Sequence, residues 1–114
     1  MNRVMLIGNL TKDCDLSETN KGTSLCRFTI AVNRPYTQGG ERETDYFNCT
    51  AWSKLAESVA KYAHKGDKVC VIGNVQLRSY EDNKGNKHTT VDVIAQEVEF
   101  LFARKSESRN DIPI

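Results

Sequence analysis

The chain has 114 residues, 39% hydrophobic and 27% charged, with a net charge of +1. That length suits one domain burying roughly two-thirds of its unfolded surface, and the composition is that of an ordinary globular protein. No run approaches the ~18 apolar residues of a membrane span, Met1-Asn2-Arg3 leads into a strand rather than a signal peptide, and the charge balance disfavours a strongly basic nucleic-acid binder; a cytoplasmic protein is expected.

Arg3 to Leu10 reads as a first strand, with Val4, Leu6 and Gly8 in one phase, Met5 and Ile7 in the other, and Gly8 allowing a bulge or bend. Lys12 to Ser24 is polar and turn-rich, with Asn20-Lys21-Gly22 as a hairpin tip. In the second strand, Leu25 to Arg34, Phe28, Ile30 and Val32 alternate with Arg27, Thr29, Ala31 and Asn33 until Pro35 stops it. A flexible loop over 37–43 precedes a third strand through Trp52. Ser53 to Lys65 changes period: Leu55, Ala56, Val59, Ala60, Tyr62 and Ala63 follow helical spacing, Ser53 is placed to cap the start and Gly66 lies just past the end. Lys68 to Tyr80 is a fourth strand, Glu81 to Lys87 a polar hairpin loop, and His88 to Ala95 a fifth strand, with Val98, Phe100 and Leu101 completing the packing.

Cys14, Cys26, Cys49 and Cys70 form no Cys-x-x-Cys pair, so neither a metal site nor a redox motif is expected. Cys26, Cys49 and Cys70 lie in strand-like runs and read as free core thiols, while Cys14 sits in a polar loop where it would be reactive. Three strands, one helix and two strands is the order of an all-β protein with one helix: a five-stranded Greek-key barrel, the OB-fold. In that fold the second and third strands and the loops after strands one and four form the usual oligonucleotide platform.

The third strand has two apolar faces. Phe47, Cys49 and Ala51 form a plain core stripe, whereas Tyr46, Asn48, Thr50 and Trp52 put a large ring at each end with polar groups between. Such rings suit the stacking of unpaired bases, and equally suit burial against the helix or a subunit. Tyr36 and Tyr80 end other strand-like runs, each with an arginine close by. No carboxylate pair, nucleophile–base pair or phosphate-cradling glycine loop is present, so no enzymatic activity and no cofactor is expected.

The run Asn2 to Asp13, the Phe28 to Tyr36 segment, Phe47 to Glu57, and Lys65-Gly66 resemble bacterial single-stranded DNA-binding proteins over about residues 1–103. The resemblance implies an OB-fold assembling as a homotetramer that wraps unpaired DNA in replication, recombination and repair. It places base-stacking aromatics on Tyr36, Tyr46, Trp52 and Tyr80 and basic contacts on Arg3, Lys54 and Arg78; Arg34 is a reasonable addition, and Lys84 and Lys87 lie on a hairpin loop able to fold over DNA. Three of the four stacking positions hold tyrosine where well-known relatives hold tryptophan, and Gln76 replaces a basic residue found in some. Residues 104–114 form a short tail, and Asp111, Ile112, Pro113 and Ile114 resemble a shortened form of the partner-recruiting tip that lets relatives engage replication and repair proteins. The rival reading is a primosomal-type OB-fold adaptor that docks proteins and binds DNA secondarily.

Overall fold

A computed structural model of the protein describes residues 1–35, 39–40 and 43–101. Among them are β1 Val4–Leu10, β2 Asp15–Glu18, β3 Ser24–Asn33, β4 Thr44–Trp52, α1 Ser53–Tyr62, β5 Lys68–Glu81 and β6 Lys87–Phe100. Pairing runs β1–β5–β6–β4–β3 and returns from β3 to β1, so five strands close on themselves. The closure is short: Asn9 faces Ala31 and Leu10 faces Ile30. A closed five-stranded ring with one helix between β4 and β5 is the expected OB-fold barrel.

Alternation builds the core. Phe28 and Ile30 from β3, Cys49 and Ala51 from β4, Val69 and Val71 from β5, and Val93 and Ala95 from β6 all point inward. Ala56, Val59 and Ala63 of the helical segment pack against them. Fully burying a side chain the size of Ile30 or Phe28 contributes about 1.5–3 kcal/mol, so the barrel is held chiefly by these inward phases. Two glycines permit close backbone approach. A Cβ on Gly8 would sit 2.5 Å from the Ala31 carbonyl oxygen where the barrel closes. A Cβ on Gly73 would overlap the Ile94 carbonyl oxygen, at the bulge that shifts the β5–β6 register between Ile72 and Gly73.

Four local expectations are corrected. The Lys12–Ser24 connection contains β2, which pairs with β3 from Asp15 opposite Arg27 to Glu18 opposite Ser24. All four β2 residues are exposed, so the strand leaves no apolar alternation to read. Ser53 does not cap the helix: Trp52 occupies the N-cap position without a side-chain bond, and Ser53 has φ 59°. The helix also ends at Tyr62 rather than Lys65, because Ala63 turns extended (φ −106°, ψ 129°) to place its methyl in the core. Finally, β6 continues to Phe100, since the bulge returns Val98 and Phe100 to the core-packing side.

The cysteine reading is corrected as well. Cys14 and Cys26 form a disulfide, with Cα atoms 6.1 Å apart, inside the usual range for such bonds. The β2–β3 pairing sets Leu16 opposite Cys26 and thereby brings the first loop against β3. Cys49 and Cys70 are buried free thiols as expected. Burial pushes the Cys49 thiol up to about 12, and burial, with Glu99 and Glu97 nearby, also raises Cys70. No helix among the described residues is long and apolar enough to cross a membrane.

Candidate nucleic-acid interface

The inward commitment of Phe47, Cys49 and Ala51 forces Tyr46, Asn48, Thr50 and Trp52 to the outer face of β4. There Tyr46 is 66% and Trp52 43% exposed. Register then decides what lies beside them. β3 sets Arg27 opposite Thr50 and Thr29 opposite Asn48, and β6 sets Asp92 beside Asn48 and Ile94 beside Thr50. β5 follows with Gln76 opposite Asp92 and Arg78 opposite Thr90. Arg27, Thr29, Asn48, Thr50, Gln76, Arg78, Asp92 and Ile94 line one open groove of about 620 Å³, together with Trp52. Thr29 Oγ1 donates to Asn48 Oδ1 at 3.1 Å, tying β3 to β4 across its floor.

The groove continues along β5. Tyr80 stands two residues beyond Arg78 in the same phase, and Arg78, Ser79, Tyr80 and Thr90 line a second hollow. Tyr80 is about half exposed and its ring stacks on His88. Arg78 Nε lies 3.4 Å from Asp92 Oδ2, so the groove arginine is steered by a carboxylate on the neighbouring strand. Thus Tyr46, Trp52, Arg78 and Tyr80 share one face.

The other basic residues are more scattered. Arg34 gives its whole guanidinium to carboxylates, with Asp45 at 3.0 Å and Glu43 at 2.7 Å. Its bond to Asp45 and the charges of both acids raise Arg34 above its ordinary range, and the same bond holds the Asp45 carboxyl below its own. Asp45 belongs to the Phe47–Cys49–Ala51 phase, so this cluster lies off the Tyr46 face. Arg3 is exposed just ahead of β1, where Asn2 anchors the chain end by paired bonds to the Val75 backbone (2.6 and 2.9 Å). Lys54 is exposed two residues from Trp52 in the first helical turn. Lys84 sits in the β5–β6 turn, where Asp82 Oδ1 accepts the Lys84 and Asn86 backbone N–H groups at 2.9 Å. Lys87 pairs in register with Glu81 and projects opposite to Tyr80 and His88. Tyr36 and the tail residues Asp111, Ile112, Pro113 and Ile114 lie outside the described residues.

The single-strand binding protein family model matches residues 1–101. The chain belongs to that family. A single-stranded DNA-binding protein of Halalkalibacterium halodurans is 46% identical over 110 residues, covering 96% of this chain and 66% of the relative. Single-stranded DNA-binding protein 2 of Listeria monocytogenes is 51% identical over 102 residues, 89% of this chain and 64% of the relative. A Bacillus cereus single-stranded DNA-binding protein is 48% identical over 105 residues, 91% and 62%. The chain therefore spans just under two thirds of the length of these three relatives.

For this family member, sequence reading missed several groove residues. Lys12, Arg27, Thr29 and Asp92 line the groove alongside Trp52 and Arg78. Arg27 and Thr29 were legible as the polar phase of β3, but only the register that sets them against Thr50 and Asn48 makes them part of the face. Asp92 gave no signal, because its partner Arg78 lies on a different strand.

Proposed function

We propose that the protein binds single-stranded DNA with little sequence preference, as a binding protein rather than an enzyme. The observation that carries this is the outward row Tyr46–Asn48–Thr50–Trp52 bordering a groove that runs past Arg78 to Tyr80. Every base has a π-face, so flat rings accept any of them, each contact contributing about 1–3 kcal/mol by alanine substitution. Bases stack on Trp52, Tyr46, Tyr80 and Tyr36, while Arg78, Arg27, Arg3, Lys54 and Lys84 meet phosphates; Lys87 contributes from the back of the hairpin and Arg34 least of all. The names of the relatives support the same ligand.

The same reading assigns residues 1–103 to the DNA-binding barrel and 104–114 to a tail whose Asp111–Ile114 tip recruits replication and repair proteins, in the cytoplasm. It also assigns a homotetramer. Met5 and Ile7 are 63% and 51% exposed on the outer face of β1, and β1 meets β3 only at Asn9 and Leu10. Its earlier residues leave an apolar face and an edge for a second copy, which supports association through this strand. Assembly multiplies modest sites by raising effective concentration.

Trp52, the sole tryptophan, makes the test direct. Adding oligo-dT quenches its fluorescence strongly, and the affinity falls with salt, log K against log[salt] having a slope of roughly −0.7 per phosphate contacted. An adaptor that binds DNA only secondarily would leave the emission nearly unchanged, and that result would reject the reading.

A further inference from the structure

Tyr80 and His88 face each other across β5 and β6. Their ring centroids are 5.2 Å apart and their planes lie 25° from parallel. The imidazole is itself anchored, since His88 Nε2 lies 2.8 Å from Asp82 Oδ2. The other Asp82 oxygen holds the turn through the Lys84 and Asn86 backbone. A chain of support therefore runs from the hairpin turn to Asp82, to His88, to the face of the Tyr80 phenol. Tyr80 remains 49% exposed, so one face is covered while the rest of the ring stays open.

We propose that His88 is a positioning residue for base stacking: its imidazole backs one face of Tyr80, pre-orders the phenol, and leaves only the opposite face to take a base. The inference deepens the single-stranded DNA reading and rests on it. An unsupported tyrosine on an exposed strand samples several rotamers, and fixing one on binding costs affinity. With His88 in place that ordering precedes the ligand. The covered face also excludes a second base from that side, so this position takes one base.

The role belongs to the flat ring rather than to its charge. Asp82 faces His88 from the turn, and Tyr80, Arg78 and Thr90 lie on the same hairpin face, with Asp92 further along it. Glu81 and Lys87 project from the opposite side. The neutral imidazole donates Nε2–H to Asp82, and the imidazolium does the same with a full ion pair, so the ring keeps its place either way.

Oligo-dT titrations of the full chain test this with wild type, H88A, H88Q, H88F, Y80A and Y80A/H88A. H88A and H88Q weaken binding about fivefold, the second because glutamine reaches Asp82 without supplying a ring. H88F restores affinity to within about twofold of wild type, since a planar ring again backs the phenol. In the Y80A background the H88A change adds less than about a factor of two, because the two residues act as one unit. H88F behaving like H88A, H88Q binding like wild type, or an undiminished H88A loss in the Y80A background would each overturn the inference. A wild-type chain that fails to bind oligo-dT would instead overturn the underlying reading, whereas tight binding indifferent to Y80A would overturn this inference and leave that reading standing.

Discussion

Arg34 grips both oxygens of Asp45, Nε to Oδ2 at 3.0 Å and Nη2 to Oδ1 at 3.1 Å. Its remaining nitrogen, Nη1, reaches Glu43 at 2.7 Å. A guanidinium matched by two carboxylates presents no net positive field to a phosphate, and Asp45 places it off the Tyr46 face. Arg78, bound by a single carboxylate within the groove, is the contrasting case. R34A is expected to leave the salt slope of oligo-dT binding unchanged, while R78A reduces it by roughly 0.7, the value of one phosphate contact to a single strand. Titrations across a salt series measure both, and equal slope changes would return Arg34 to the DNA path.

Tyr46 and Trp52 lie six residues apart along the outer face of β4, about 20 Å at the rise of a strand. On the proposed reading, rings that far apart would engage different nucleotides. Y46A and W52A should each cost about 1–3 kcal/mol of oligo-dT affinity, and the double variant should show their sum to within about 0.5 kcal/mol. Anisotropy with a labelled oligonucleotide suits the measurement, because W52A removes the intrinsic reporter. Marked non-additivity would mean that both rings hold the same base.

The barrel was legible where its strands alternate with one face buried: Phe28 and Ile30, and Cys49 and Ala51, point inward as read. Legibility failed where pairing, not burial, defines the element. β2 is exposed throughout and exists through its bonds to β3, and the end of β6 depends on a register shift opposite Ile72 and Gly73. The same division holds for the interface. The rings at Tyr46 and Trp52 announce themselves within one strand, whereas the groove position of Arg27, the neutralisation of Arg34 and the Cys14–Cys26 bond all arise from residues brought together by other strands.

Gly73 supplies a stability test of that register. A methyl group there would overlap the Ile94 carbonyl oxygen and crowd the Ala95 backbone, and neither is the free end of a flexible side chain. G73A should destabilise by about 1–3 kcal/mol, the usual cost of overpacking a closely fitted site. Urea unfolding at constant protein concentration reads the change, and an unaltered midpoint would show that the bulge relaxes to admit the methyl.

The Cys14–Cys26 bond closes a 12-residue separation between the first loop and β3. Constraining a loop of that size in the unfolded chain is worth about 3 kcal/mol. C14S is the better variant, because Cys14 is only partly buried whereas Cys26 is fully enclosed. It should lower the unfolding free energy by about that amount, and dithiol treatment should do the same to wild type but nothing to C14S. Thiol counting on the denatured, unreduced chain should find only Cys49 and Cys70. Four titrating thiols before reduction would show that the bond is absent in solution.

Cys49 gives a pH dependence with a definite sign. Burial raises its thiol from about 9 to about 12, so the folded chain keeps the proton where the unfolded chain releases it. The associated stability is fully present below about pH 9 and is lost as pH rises through about 12, because ionisation then favours the unfolded state. Unfolding free energies measured at about pH 8 and pH 10.5 should therefore fall more steeply for wild type than for C49A, which lacks the titrating group; Cys70, tyrosines and lysines contribute equally to both chains. Parallel declines in the two proteins would show that the thiol at position 49 meets water in the folded state.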